Sequence, residues 1–183
     1  WHTLSLHDAL PIFLLHTCCS PCATSSAERL ELYGYDVVLF FSNSNIVPFA
    51  EYQKRLEAAG KLSRLWSLPL VVDPYDHGVW RRYIAGTEDA PEGGARCSRC
   101  FSFSLSRTAL YARRLGIPRF ATTLTLSPHK RSATIEEIGS QFPGYHHLDF
   151  KKSGGFKRSL EICALCGIYR QGYCGCEFSL RGR

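Results

Sequence analysis

The chain has 183 residues, 45% of them hydrophobic and 13% aromatic, and carries a formal net charge of +6. This composition is that of an ordinary globular domain and argues against disorder, and no apolar run approaches the roughly 18 residues that a membrane span needs. Residues 129–183 hold nine Lys or Arg against five Asp or Glu. That excess is compatible either with a solvated basic surface or with a polyanionic partner.

The first predicted elements alternate between strand and helix. The apolar run Ile12–His16 is typical of a buried strand, and Ser20 followed by Pro21 is a good N-cap and first position for a helix that Gly34 closes. Residues 37–41 are a second apolar run. This β–α–β order predicts that the two strands are parallel.

The rest of the chain continues the alternation. Apolar residues at helical spacing predict helices over residues 48–66, 98–115, 130–139 and 156–169. Apolar runs predict strands over residues 70–72 and 119–125, with a polar, Gly-rich loop at 86–96. We therefore predict an α/β fold with three layers, α/β/α, and a mostly parallel sheet of the Rossmann-like or HUP-like type. In such sheets ligands bind beyond the carboxyl ends of the strands, where we expect a metal site.

Residues 1–11 form neither a clean strand nor a clean helix, and they lack the apolar segment preceded by basic residues of a secretory signal. We predict that 1–11 is an artefactual or unstructured leader and that 12–183 is a single α/β domain with a C-terminal helical and cysteine-containing segment. The nine cysteines are odd in number and tightly clustered, which does not suit a secreted disulfide framework. A reducing, cytoplasmic location and a metal or redox use of the thiols are expected.

Three cysteines, Cys18, Cys19 and Cys22, fall within five residues where the first strand runs into the first helix. The helix N-terminus offers positive partial charge and free N–H groups, which stabilise the thiolate form that binds metals. Adjacent cysteines do not easily close a disulfide with each other. Packing in the core is a poor explanation for this density, so the cluster predicts a metal or redox site.

Two further pairs add four thiols. Cys97 and Cys100 form a CxxC motif before a predicted helix, which is compatible with zinc, an iron–sulfur cluster or a redox pair. Cys174 and Cys176 flank Gly175 and are either a vicinal redox pair or two ligands of one metal. Four thiols saturate one [4Fe–4S] cluster, so the three left over indicate a second metal or a thiol pair beside it.

Cys163 and Cys166 are also spaced as CxxC, but they lie inside a predicted helix with Ile162 and Leu165. A free cysteine behaves as a small hydrophobe. We expect these two residues to pack in the core and leave them out of the site.

Six sequence motifs follow one another along the chain: LLHTCCSPC at 14–22, EYQKR at 51–55, RCSRCF at 96–101, TTLTLSPHK at 122–130, DFKK at 149–152 and YRQGYCGC at 169–176. On these motifs the chain resembles the QueH family of epoxyqueuosine reductases. The resemblance covers nearly everything after Phe13. Residues before Leu14 depart from the family pattern, and Cys163 and Cys166 are not part of it.

The resemblance implies a catalytic domain that reduces epoxyqueuosine to queuosine at the wobble position of tRNA, without cobalamin and with a [4Fe–4S] cluster. It implies that the cluster ligands are Cys18, Cys19, Cys97 and Cys100. Cys174 and Cys176 match positions assigned to a redox-active pair or to an additional mononuclear iron, and we assign Cys22 to that second centre. The electron donor is not specified by the sequence.

Other side chains are candidates for positioning or proton supply. Asp149, Tyr173 and His16 are proton-donor hypotheses, with a structural polar role as the alternative for each. Phosphate contacts to tRNA are predicted for Lys130, Arg131, Lys151, Lys152, Arg158 and Arg170. Phe150 and Tyr173 are candidates for stacking on an unpaired base.

Two competing functions remain. A PP-loop tRNA thiolase or ligase would need a Ser-Gly-Gly-x-Asp-Ser-like phosphate loop after the first strand, where this chain has cysteines and no glycine. A zinc-stabilised nucleic-acid-binding module would use four thiols and leave three without a role. Metal analysis of the purified protein distinguishes this module from an iron–sulfur enzyme.

Overall fold

The computed structural model describes residues 10–180, and these contain one four-stranded sheet. The strands are β1 (Ile12–His16), β2 (Asp36–Phe41), β3 (Leu70–Val72) and β4 (Phe120–Thr122). All neighbours pair in parallel in the order β3-β2-β1-β4. Most of the predicted leader, residues 1–9, lies outside the described part of the chain, and the division at residue 11 stays a prediction.

Helices connect the strands. They are α1 (Ser20–Leu32), α2 (Phe49–Trp66), α3 (His77–Tyr83), α4 (Ala95–Arg114), α5 (Ser132–Gly139) and α6 (Gly155–Cys166). Short 3-10 turns lie at Thr123–Leu126, Lys152–Gly154 and Glu177–Ser179. Within residues 10–180, no helix combines the length and the apolar character needed to cross a bilayer.

Helices cover both faces of the sheet because side chains along a strand alternate between the faces. Phe13 and Leu15 pack into a core with residues of α1, α2 and α6. Leu14 and Phe40 pack into a second core with residues of α4 and α5. The prediction of a three-layer α/β/α fold with a parallel sheet is therefore confirmed.

The ends of several elements differ from the sequence prediction. Cys19, not Ser20, caps α1, because its Sγ accepts a hydrogen bond from the Cys22 amide at 3.4 Å. The strand predicted over 119–125 ends at Thr122 and continues as a 3-10 turn. The last long helix ends at Cys166, since Gly167 takes a left-handed conformation with φ of 57°.

The region around the CxxC pair also departs from the prediction. Helix α4 begins at Ala95, so Cys97 and Cys100 lie in its first two turns and not ahead of it. Helix α3 was not predicted, because its seven residues are too few to show a period. It begins where the Asp76 carboxylate accepts a hydrogen bond from the Val79 amide at 2.9 Å, and it buries Trp80.

Candidate functional site

A cysteine triad, formed by Cys18, Cys19 and Cys22, lies at the carboxyl end of β1. Strand β1 ends at His16 and α1 begins four residues later, which turns all three thiols toward one point. Their Sγ atoms lie within 4.8 Å of one another. The Thr123 hydroxyl, from the turn after β4, donates a hydrogen bond to the Cys18 Sγ at 3.2 Å. The triad thus joins two neighbouring strand ends.

The three thiols of the triad differ in acidity. Hydrogen bonds from Cys19 and Cys22 hold the pKa of Cys18 well below its usual range, and the positive charge of Lys130 adds to this effect. Burial raises the pKa of Cys19. Hydrogen bonding to Cys18 and Cys19 raises the pKa of Cys22. Cys18 is therefore the most acidic thiol of the triad, and the thiolate is the form that binds metals.

A second group of thiols comes from α4 and the C-terminal segment. Its members, Cys97, Cys100, Cys174 and Cys176, line a recess of about 60 Å³. The Trp80 indole donates to the Cys100 Sγ at 3.4 Å, and the Gly93 amide donates to the Cys97 Sγ at 3.2 Å. These donors fix both sulfurs of the CxxC pair from outside α4.

One larger cavity connects the triad to this second group. It has a volume of about 500 Å³, and its wall includes Cys18, Cys19, Cys22, Cys100 and Cys174. Cys100, Cys174 and Lys130 line both the cavity and the adjoining recess. The structure thus brings all seven predicted cysteines to one place, and we call this combined space the cysteine cavity.

The spatial grouping of the thiols is not the grouping implied by the resemblance. Cys22 lies with Cys18 and Cys19, whereas the resemblance pairs those two with Cys97 and Cys100 as ligands of one cluster. Within residues 10–180, the triad is the group of three potential metal ligands whose donor atoms all lie within 4.8 Å of one another. Which thiol binds which metal therefore stays a prediction.

The donor set fits a thiophilic metal or an iron–sulfur group. Hard cations such as Ca²⁺ and Mg²⁺ take oxygen ligands, whereas thiolates bind zinc, copper(I) and iron–sulfur clusters. Lys130 lies beside the thiols, where a positive charge offsets the negative charge of several thiolates. Burial opposes the charge on Lys130, but the neighbouring Cys174 and Cys18 outweigh burial and raise its pKa.

A chain of hydrogen bonds crosses the carboxyl edge of the sheet beneath the cavity. The Thr122 Oγ1 lies 2.8 Å from the His16 Nδ1, and the His16 Nε2 lies 3.2 Å from the Ser42 carbonyl oxygen. The Ser42 hydroxyl donates to Asp73 at 2.7 Å, and the Arg107 Nε donates to the same carboxylate at 2.8 Å. The chain links all four strands to α4, the helix that carries Cys97 and Cys100.

His16 is a structural member of this chain and not an exposed proton donor. A carbonyl oxygen only accepts, so the Nε2 must carry the proton and the Nδ1 must accept from the Thr122 hydroxyl. His16 is fully buried, and burial lowers its pKa. Both ring nitrogens have hydrogen-bond partners, which favours the structural role for His16, and a part in proton supply stays a prediction.

The structure places some of the other proposed proton-donor and stacking residues on the cavity wall and others away from it. Tyr173 lines the cavity, and its hydroxyl donates to the Val47 carbonyl. Asp149 is not part of the cavity wall, and its carboxylate lies 3.5 Å from the Lys151 ammonium. Phe150 is only 1% exposed, so the stacking role proposed for it is wrong. Phe156 is 38% exposed and lies on the cavity wall, but it was not identified as a stacking candidate from the sequence.

The six predicted phosphate contacts fall into two groups. Lys130 and Arg170 line the cavity, and Arg131 lines the recess. The remaining three, Lys151, Lys152 and Arg158, lie outside both walls. Lys151 donates to the Lys130 carbonyl, Lys152 is exposed, and Arg158 makes a two-pronged contact with Glu28 at 2.6 and 2.9 Å.

Cys163 and Cys166 lie away from the cavity on α6. Cys163 is 2% exposed within the core between the sheet and helices α1 and α2. Cys166 is half-buried and packs against the same core. This placement agrees with the packing role expected from their position in a helix.

Comparison with known proteins gives one consistent family. The model of the family described as Epoxyqueuosine reductase QueH matches residues 13–182. The chain is 38% identical to the epoxyqueuosine reductase QueH of Acinetobacter baylyi, over 97% of this chain and 84% of the relative. It is 37% identical to the protein of that name from Streptococcus pyogenes serotype M1, over 93% and 71% of the two chains. It is also 37% identical to the protein of that name from Thermotoga maritima, over 93% of this chain and 91% of the relative.

Solved structures with a similar fold come from other tRNA-related proteins. The chain is similar to the U34-tRNA thiolase NcsA from Methanococcus maripaludis with its [4Fe-4S] cluster, with a TM-score of 0.60 and 9% identity. That match covers 94% of this chain and 62% of the thiolase. A predicted tRNA methyltransferase subunit from Methanocaldococcus jannaschii matches with a TM-score of 0.54 and 14% identity, over 85% and 75% of the chains. At these identities the likeness shows the fold alone.

Proposed function

Because the chain belongs to the QueH family of epoxyqueuosine reductases, we propose that it reduces epoxyqueuosine to queuosine at the wobble position of a cytoplasmic tRNA. The observation that carries this proposal is the meeting of seven cysteines at one cavity. The reaction breaks both epoxide C–O bonds, forms a C=C bond and releases the oxygen as water. It consumes two electrons and two protons, and the electrons come from a separate donor.

Four of the seven thiols would hold a [4Fe–4S] cluster, and the family resemblance favours Cys18, Cys19, Cys97 and Cys100. The remaining three, Cys22, Cys174 and Cys176, would then hold an additional mononuclear iron or provide a redox-active pair. Such groups, when bound, supply single electrons and a Lewis acid for an oxygen atom.

The residues of the chain bind and orient the substrate. The cavity volume of about 500 Å³ is within the roughly 300–1,000 Å³ range of small-molecule sites, which supports the entry of one extruded base. Phe156 and Tyr173 offer rings on its wall for stacking. Among the proton donors proposed from the sequence, Tyr173 and the buried His16 line the cavity, while Asp149 is held by Lys151 outside it.

Arg131 and Arg170 are the exposed basic residues at the cavity, and we propose that they bind anticodon-loop phosphates. Each phosphate contact to a single strand contributes roughly 0.7 to the slope of log affinity against log salt. We expect the Arg131→Gln/Arg170→Gln double variant to bind tRNA more weakly and to reduce this slope by about 1.4. Filter binding over a salt series measures both the affinity and the slope. A slope equal to that of the wild type would remove both residues from the interface.

The reaction is tested directly with anaerobically purified protein reconstituted with iron and sulfide. Incubation with epoxyqueuosine-containing tRNA and a chemical reductant should convert the modified nucleoside to a species lighter by one oxygen, seen by mass analysis of the digested tRNA. A nucleoside that keeps its oxygen while the iron–sulfur spectrum stays intact would reject the reaction. Colourless protein with stoichiometric zinc would instead support the nucleic-acid-binding module.

A further inference from the structure

A buried arginine on α2 forms part of the wall of the cysteine cavity. Arg55 has a side chain that is 2% exposed, and its Nε donates to the Glu51 carboxylate at 2.7 Å, one helical turn earlier. The other Glu51 oxygen accepts from the Tyr169 hydroxyl at 2.9 Å. A buried charge pair must satisfy its remaining hydrogen-bonding groups, since an unpaired buried charge is strongly destabilising.

The remaining donors of Arg55 point at the chain segment that carries two of the cavity thiols. Its Nη1 donates to the Cys174 carbonyl at 2.9 Å, and its Nη2 donates to the Tyr173 carbonyl at 3.1 Å. The guanidinium also lies 5.1 Å from the centre of the Tyr173 ring. A planar fork that reaches two successive carbonyls fixes both the position and the direction of the backbone, which a lysine cannot do.

The same segment contacts the loop between β2 and α2. The Val47 amide donates to the Gly175 carbonyl at 2.9 Å, and the Tyr173 hydroxyl donates back to the Val47 carbonyl. Gly175 has a φ of 132°, and a Cβ there would meet the Ile46 Cγ1 at 3.1 Å and the Arg55 Nη1 at 3.2 Å. A side chain at this position would crowd both neighbours, and the positive φ also disfavours any residue other than glycine.

We propose that Arg55 is a positioning residue that holds the turn at residues 174–176 against the cysteine cavity, so that Cys174 lies beside Cys100. It acts through its hydrogen bonds to the backbone of that turn. Because charge-assisted hydrogen bonds are about twice as strong as neutral ones, the bonds from Arg55 to the Tyr173 and Cys174 carbonyls favour one position of the turn. The functional consequence rests on the proposed function, in which the thiols of this turn take part in the reaction.

The test uses hydrogen–deuterium exchange of the metal-free protein, read at the Val47 amide. Arg55→Lys keeps the charge beside Glu51 but cannot bond to both carbonyls. We expect exchange at Val47 to rise by roughly tenfold or more, as for the loss of one charge-assisted hydrogen bond, while the amides of β1 and β2 keep wild-type rates. Lys54→Met, an exposed change on the same helix, should leave all rates unchanged.

Gly175→Ala provides a second route to the same state, because the added methyl crowds the Ile46 side chain and the Arg55 guanidinium and so displaces the turn while the arginine is kept. It should give the same local rise at Val47. In the reconstituted enzyme both variants should lower kcat with little change in KM for tRNA. Wild-type exchange at Val47 in Arg55→Lys, or a rise spread equally over β1 and β2, would overturn the proposal. A wild-type protein inactive on epoxyqueuosine would reject the proposed function and leave the exchange result standing.

Discussion

Replacing Cys18 with serine is expected to abolish binding of the iron–sulfur cluster, whereas the same change at Cys166 should leave it intact. The Cys18 thiol is the most acidic of its triad, and its sulfur lies 3.9 Å from the Cys19 sulfur at the end of β1. A serine hydroxyl does not ionise near neutral pH and is a poor ligand for iron. Iron and sulfide content per chain after anaerobic reconstitution measures the effect.

Cys166→Ser is the matched control, because Cys166 is also half-buried but packs against the core on α6. Both variants should keep wild-type circular dichroism. Equal loss of iron in the two variants would show that the loss reflects folding and not ligation. Full iron content in Cys18→Ser would exclude Cys18 from the centre.

Iron stoichiometry also decides between the two groupings of the thiols. If Cys22 binds the same centre as Cys18 and Cys19, as their proximity suggests, Cys22→Ser should lose the whole cluster. If it belongs to a separate mononuclear iron, as assigned from the resemblance, the variant should lose about one iron and keep the four of the cluster. The visible spectrum after reconstitution distinguishes these outcomes.

The sequence predicted most of the fold and the location of the site, because both follow from patterns along the chain. Apolar runs identified all four strands, and β1 and β3 have the predicted bounds. The Cys18 triad lies at the carboxyl end of a parallel strand, as the general rule for open α/β sheets requires. The family assignment from six motifs is confirmed by a family model that matches residues 13–182.

Contacts between distant segments were not predictable in the same way. His16 and Phe150 carry no sequence signal that separates a buried structural role from an exposed functional one. Arg55 lies in one of the six motifs, yet its partners at Tyr173 and Cys174 are more than 100 residues away. Charged residues are mostly exposed, so a buried arginine goes against the general expectation. Trp80 was missed because α3 is too short to predict.

Asp73→Asn is expected to destabilise the metal-free protein by about 1.5–3 kcal/mol at neutral pH, the range for hydrogen bonds to a charged group. The Asp73 side chain is 2% exposed and bonds to Ser42, the residue after β2, and to Arg107 on α4. Arg107 is 31% exposed, so water can rehydrate it in the variant, which limits the cost. Urea unfolding measures the change, and Arg113→Gln, an exposed change on the same helix, should have little effect.

The Asp73→Asn substitution should also remove the part of the pH dependence of stability that comes from this carboxyl group. Burial alone would raise the pKa of Asp73, but hydrogen bonds from Arg107 and Ser42 outweigh it and hold that pKa below its usual range. A carboxyl group with a depressed pKa stabilises the fold at pH values above its unfolded-state pKa of about 3.9. This contribution is lost as the pH falls through the lower folded-state pKa. The stability gap between wild type and Asp73→Asn should therefore be constant above about pH 5 and close in stronger acid. A stability difference that widens on acidification would show that the ionised Asp73 carboxylate does not hold α4 through Arg107.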